Sequence, residues 1–449
     1  MTRRLAVMIL SLSVLALPFG TVPPPSGAQA PARAQGRGVD VWINIQGTGG
    51  KKINIAIPEF AVVGGADAHG LAKQLPGVAG QDLTFTGLFA VVAATGAIPA
   101  NNAAALRQSW SDFAAAGAHA GVHGLLALRG PRLEVEMRLY DLTNPEQRII
   151  ASRTFEVSAD QPRRLAHKIA DEIVLQFTGE RGVADTKIAY VVGPRGAKEI
   201  MVADYDGHAE RPLARNGSIN LMPAWGPDTR SLVYLSFKNG YPDLFRAFPF
   251  ERRPEQILAA FAGINSAPAW SPDGRSLAVT LSKDGNPEIY VLTLATGVFR
   301  RLTRHAGIDT DPSWSPSGRE LAFVSDRLGR PHIFIMDDEG ANVRQITTGG
   351  FHTQPRWSPR GDTIVFTIRE GIHDLWAIAP DGSNARRLTA GPGDNESASW
   401  APNGRHVLFQ SSRSGQWQIF AMQADGTEQA PVTRGSAAYT SPSWSPRLP

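Results

Sequence analysis

The sequence predicts a two-domain protein: a small N-terminal α/β domain followed by an all-β six-bladed propeller that its own C-terminal strand closes. Three observations carry that expectation. A tryptophan, a small residue, a proline and a polar turn recur as Trp225-Gly226-Pro227, Trp270-Ser271-Pro272, Trp314-Ser315-Pro316, Trp357-Ser358-Pro359 and Trp400-Ala401-Pro402, and in truncated form as Trp444-Ser445-Pro446, with successive tryptophans 45, 44, 43, 43 and 44 residues apart. Each period holds several short strand signals, the pattern of an architecture in which one repeat makes one four-stranded blade. The ends are also complementary. The unit beginning at Lys187 has no tryptophan strand before it, and Ser443-Trp444-Ser445 is a tryptophan strand with no unit after it. Pairing the two closes the ring and removes its exposed edges.

The chain begins with Arg3 and Arg4, an apolar run from Leu5 to Leu17, a break at Pro18 and a small-x-small site, Ala32-Arg33-Ala34. Residues 1–34 therefore read as a cleaved export signal, since the run is too short to anchor in about 30 Å of hydrocarbon. This predicts a periplasmic product. Removing Arg3, Arg4 and Arg33 takes 45 basic residues to 42 against 41 acidic ones, so the net charge falls from +4 to +1. Such a balance gives no support to nucleic-acid binding. The absence of cysteine rules out disulfides and thiolate metal sites.

Residues 35–185 show no repeat and read as the α/β domain. Val39-Asp40-Val41-Trp42-Ile43-Asn44-Ile45 and Ile53 to Ile57 alternate as strands. Leu71 to Phe85 suggests a helix ending near Gly87, and strand returns from Leu88 to Val92. Ala103 to Ala116 reads as a helix. Strands follow over Leu125 to Leu128, Leu133 to Leu139 and Ile149 to Val157, then a helix carrying Leu165, Ile169 and Ile173 before Gly179.

Residues 186–449 make the propeller. In the best repeat, Ser276 to Leu281, Glu288 to Leu294 and Phe299 to Thr303 are strands joined by turns at Lys283-Asp284-Gly285 and Ala295-Thr296-Gly297. The Trp-x-Pro-x-Gly cluster is structural: the aromatic packs between blades, proline sets φ, and glycine takes the positive-φ place of a hairpin. The hairpins at Pro272-Asp273-Gly274 and Thr296-Gly297 share one rim. The blade-to-blade crossovers open on the other, around Asn265-Ser266-Ala267, Asp309-Thr310-Asp311, His352-Thr353-Gln354, Asn395-Glu396-Ser397 and Ala438-Tyr439-Thr440. Varied polar segments on a rigid scaffold suit binding, against the plainer reading that they are solvated connections.

Catalytic patterns are scarce: the chain has neither a Gly-x-Ser-x-Gly elbow nor a phosphate-cradling Gly-Lys loop. His119 and His123 are four apart, but no third ligand stands near them in sequence. No enzyme activity, cofactor or metal is expected.

Leader, α/β domain and six such repeats together resemble the TolB family, periplasmic propeller components of the Tol-Pal cell-envelope system. The resemblance rests on the strand at Val39 to Ile45, Ile57-Pro58-Glu59-Phe60, Tyr205-Asp206-Gly207, the repeats, and Pro442-Ser443-Trp444-Ser445-Pro446. It implies an adaptor that supports outer-membrane integrity and constriction during cell division. The propeller rim would receive the peptidoglycan-associated lipoprotein Pal through Ile264, Asn265, Ala267, Thr310 and Asp311, with His352, Thr353, Asn395, Glu396 and Tyr439 continuing the rim. The N-terminal segment Val39, Asp40, Val41, Trp42, Ile43, Asn44 and Ile45 would engage the inner-membrane protein TolA. The chain would be a monomer, with other outer-membrane proteins as further partners. Two departures stand out: Ile264 is apolar where a polar residue is expected, and Trp42 with Gly47 to Lys52 replaces a more acidic stretch. The competing readings are an accessory propeller of an envelope peptidase and a carbohydrate-binding ring, for which Phe351 and Tyr439 are the rim aromatics.

Overall fold

A computed structural model describes residues 52–448 apart from 68, 95 and 195. The expected export signal and the segment Val39 to Ile45 lie outside the described residues.

Among the described residues the α/β region is a six-stranded mixed sheet with three helices. Its elements are β1 (Ile53–Ala56), β2 (Ala61–Gly64), α1 (Leu71–Phe85), β3 (Phe89–Val92), α2 (Ala103–Ala115), β4 (Ala120–Arg129), β5 (Arg132–Asp141), β6 (Ile149–Ser158) and α3 (Pro162–Thr178). The order is β3-β1-β4-β5-β6, with β2 also on β4. Strand β2 had no signal of its own in the sequence, and β4 starts five residues before the expected Leu125. Local chemistry sets the helix ends. Asp67 accepts from the N–H groups of Leu71 (2.7 Å) and Ala72 (2.9 Å), Asn102 accepts from Ala105 (2.9 Å), and Pro162 opens α3, which stops at Gly179 with φ 74°. On one sheet face Leu71, Leu75, Leu83, Leu165, Ile169 and Ile173 pack against Val122, Leu126 and Val135. On the other Trp110 lies over Gly121, where a Cβ would stand 2.6 Å from the indole, so only glycine admits it.

Six four-stranded antiparallel sheets follow. Blade 1 combines Lys187–Val192, Glu199–Asp204 and Arg211–Ala214 with the last strand, Tyr439–Trp444, as its innermost member. The inner strands of blades 2 to 6 are Asn220–Trp225, Asn265–Trp270, Asp309–Trp314, His352–Trp357 and Asn395–Trp400. The six-bladed, tail-closed fold expected from the repeat is the one observed.

The tryptophans do join blades. Trp225 packs with Ala189, Val191, Ile200 and Val202 of blade 1. The indole N–H of Trp270 donates to Ala224 O (3.1 Å) and that of Trp400 to Arg356 O (2.9 Å), each a bond to the preceding blade. Where serine precedes the tryptophan, its hydroxyl accepts the next blade's backbone N–H: Trp357 N to Ser313 Oγ (3.0 Å) and Trp444 N to Ser399 Oγ (2.9 Å). Among the described residues no helix is long and apolar enough to cross a membrane.

Candidate functional site: the crossover rim

The stretches expected to be crossover loops are the first halves of the inner strands. The chain there must pair with its own blade, so the crossovers end one residue earlier, at Ile264, Ile308, Phe351, Asp394 and Ala438. Each inner strand then bulges at its third residue. Met222, Ala267, Asp311, Gln354, Ser397 and Ser441 all hold φ between 48° and 57°, at the register shift of their pairing with the second strand. A left-handed conformation costs a residue with a Cβ about 1–2 kcal/mol. Its six-fold recurrence shows that the ring imposes it: the bulge turns the strand at the mouth of the channel.

In blades 2 to 6 the first residue of the inner strand is a buried anchor. Asn265 is fully buried; its Nδ2 donates to Phe261 O (2.7 Å) and its Oδ1 accepts from Phe261 N (3.1 Å), pinning the crossover that precedes it. Asn395 accepts from Ser411 Oγ (2.8 Å) and Arg413 (2.7 Å). Asp309 takes both Arg327 contacts, at 3.0 and 3.2 Å. In blade 5 the anchor is His352, whose Nδ1 lies 3.1 Å from Nδ1 of His332, so one ring donates and the other accepts. Burial and the neighbouring His332 push the His352 imidazole down to about 4.

The predicted site residues therefore divide. Asn265, His352 and Asn395 are buried braces, while Ile264 is exposed and Ala267, Thr310, Asp311, Thr353, Glu396 and Tyr439 are half-buried around the mouth. Below the mouth, burial pushes the Asp311 carboxyl up in spite of Arg356, and pulls the Arg356 guanidinium down in spite of Asp311. Both side chains are half-buried, and the protein crowded around them is what disfavours their charged forms. Arg356 stands where the other repeats have Ala224, Ala269, Ser313, Ser399 and Ser443, and aligning that column would have found it.

The sequence reading missed the apolar character of this rim. Ile264, Ile308 and Phe351 are exposed at crossover ends, and Tyr241, Leu328 and Ile372 at the turns beside them. A single isoleucine in a polar crossover gave little signal; only the blade alignment places these six together.

His119 and His123 do not form a site. His119 Nδ1 accepts from Asn54 N (3.1 Å), and buried His123 meets Ile98 O (3.1 Å).

Comparison with known proteins bears on the same architecture. A family model described as the TolB beta propeller domain matches residues 174–446, and one described as the TolB amino-terminal domain matches residues 41–148. The Tol-Pal system protein TolB of Roseobacter denitrificans is 33% identical over 222 residues, 48% of this chain and 49% of that protein. The Bordetella pertussis protein of the same name is 36% identical over 220 residues, 49% of this chain and 47% of that one. The chain thus spans about half the length of the curated relatives it matches. The crystal structure of TolB from Acinetobacter baumannii superposes with a TM-score of 0.77 at 28% identity, covering 88% of this chain and 97% of that one.

Proposed function

This chain belongs to the TolB family, and we propose that it works as a periplasmic adaptor of the Tol-Pal system. Its crossover rim receives the lipoprotein Pal, and its N-terminal segment Val39 to Ile45 engages TolA. The observation that carries the first half is the gathering of Tyr241, Ile264, Ile308, Leu328, Phe351 and Ile372 on one rim, exposed between 41% and 72%. Exposed apolar residues clustered in this way mark interaction surfaces. The anchors beneath them hold the rim in one shape, which lowers the ordering cost of docking. Ile264, Ala267, Thr310, Asp311, Thr353, Glu396 and Tyr439 make contact; Asn265, His352 and Asn395 shape the surface from below.

No bond-breaking step is assigned to this rim, and the adaptor works by occupancy alone. The division into an export signal over residues 1–34, an α/β domain to residue 185 and a propeller thereafter belongs to the same proposal. Isothermal titration with the soluble domain of a Pal lipoprotein tests it. Ile264→Asp should weaken binding at least about tenfold, the loss expected for one buried anchor at an interface core. Unchanged binding by a folded Ile264→Asp protein would remove the rim from the proposal.

A further inference from the structure

The joint between the α/β region and the propeller contains a buried ionic cage. His167 on α3 is 2% exposed and its Nδ1 lies 2.8 Å from Asp82 Oδ2 on α1. Asp82 Oδ1 accepts the hydroxyl of Tyr205, 2.7 Å away in blade 1. The other imidazole nitrogen has no hydrogen-bond partner among the described residues and faces Asp204 Oδ2 of blade 1 at 4.0 Å. Asp206 completes the group: ligand atoms of Asp82, His167 and Asp206 all lie within 4.8 Å of one another.

Charge decides what holds this cage together. Asp82, Asp204 and Asp206 bring three negative charges. Arg163 pairs with Asp206 and Lys187 with Asp204, which leaves one negative charge without a counterpart. A proton on His167 supplies it and makes the cage neutral. A divalent cation on neutral His167 would overshoot, and would compete with Arg163 for Asp206. A buried carboxylate left without a partner is costly, so the protonated imidazole is the favoured occupant.

We propose that a proton on His167 fastens the α/β region to the propeller, so that this joint is firm in mildly acidic medium and loosens as the medium turns alkaline. The contacts around the imidazole make its charge matter to both sides. Tyr205 packs edge-on to His167 at 5.7 Å and to Phe85 of α1 at 5.1 Å, and stacks on Trp444 of the closing strand at 6.5 Å. Phe85 in turn stacks on His406 of blade 6 at 4.6 Å.

The other ionisable groups near the cage do not cancel the effect. From α3, Arg163 and Asp171 face it; Asp171 accepts two backbone N–H groups of the α3–propeller connection and is pushed up to about 6, chiefly by burial. From the propeller come Lys187, Asp204, Tyr205 and Asp206, with His208 on the far side of Asp206 at 3.2 Å. Asp185 is occupied by Arg164 and Lys168. His406, behind Phe85, is pulled down to about 4 by burial and stays neutral where His167 titrates.

Burial pulls His167 down, but the hydrogen bond and charge of Asp82, with Asp206 and Asp204 behind them, outweigh it and raise the imidazole above 6.5. A raised folded-state value means that the stabilisation is complete below about 6.5 and disappears as pH rises through the raised value.

The test is hydrogen exchange of the whole protein between pH 6 and 9, corrected for intrinsic amide rates, alongside NMR titration of the histidine rings. His167 should titrate above 6.5. Exchange across residues 71–86 and 204–208 should quicken by up to about tenfold per pH unit between 6.5 and that titration and level off beyond it, while blades 3 to 5 do not change. His167→Gln, which keeps a donor for Asp82 but carries no charge, should exchange fast at pH 6 and show no pH dependence. Should that variant fail to fold, the unsubstituted protein decides alone. The proposal is overturned if His167 titrates below 6.5, if protection at the joint is flat from pH 6 to 9, or if a chelator abolishes the protection, which would give the cage to a metal ion.

Discussion

The indole Nε1 of Trp444 donates to Thr186 Oγ1 at 2.8 Å, joining residues 258 positions apart. Around that bond, Ser445 N donates to Lys187 O (2.8 Å) and Lys187 N to Ser445 Oγ (2.9 Å), so the last strand is tied to the first at three points. Without this strand blade 1 would have three members and an open inner edge. Thr186→Val leaves the buried indole N–H unpaired and should cost about 1–3 kcal/mol. Trp444→Ala should cost about 3–5 kcal/mol, as for other buried aromatic truncations. Guanidinium unfolding midpoints measure both, and a neutral Thr186→Val would mean that the tie does not hold the ring.

Backbone strain at the channel mouth gives substitutions of opposite sign at one position. Ala267 holds φ at 48°. Ala267→Gly removes the Cβ clash of about 1–2 kcal/mol and gives back somewhat less through the freer unfolded chain, for a net gain of about 0.5 kcal/mol. Ala267→Val puts a β-branched side chain in the same conformation and should lose about 2 kcal/mol. Thermal unfolding of the pair tests the bulge: equal effects would show that the left-handed conformation carries no strain.

Acid should weaken the rim of blade 5. The His352 imidazole titrates at about 4 in the folded chain, pulled from 6.5 by burial and by His332. The unfolded chain takes up its proton near 6.5 and the folded one only near 4, so stability falls as pH drops through that window. His406, also at about 4, adds a loss of the same sign. His352→Asn installs the residue found at the matching positions 265 and 395. It should recover part of the stability lost between pH 6.5 and 4, read as a smaller drop in the unfolding midpoint. An unchanged pH profile would show that the pair is not strained by charge.

Much of this architecture was readable from residues alone, for a definite reason. A tryptophan every 43 to 45 positions, with proline and a turn beside it, is a local pattern, and six copies report the blade count together. The first turn even departs from the rule visibly: Thr229, with φ 59°, sits where later repeats have glycine. Features made by contacts between distant positions left no such mark. Asp82 meets His167 across 85 residues and Tyr205 across 123, and neither pair shares a motif. The anchors misled in another way. Asn265 and Asn395 look like loop asparagines, and only the closed crossover shows that their amides are spent on backbone and side-chain partners inside it.

The central claim is that the crossover rim is the docking face. A hydrogen-exchange footprint of the whole protein with and without the soluble domain of Pal tests it most directly. The account predicts protection at residues 262–267, 306–311 and 350–354, with the hairpin rim at residues 272–274, 316–318 and 359–361 unchanged. Protection confined to the hairpin rim or to the α/β sheet would contradict it.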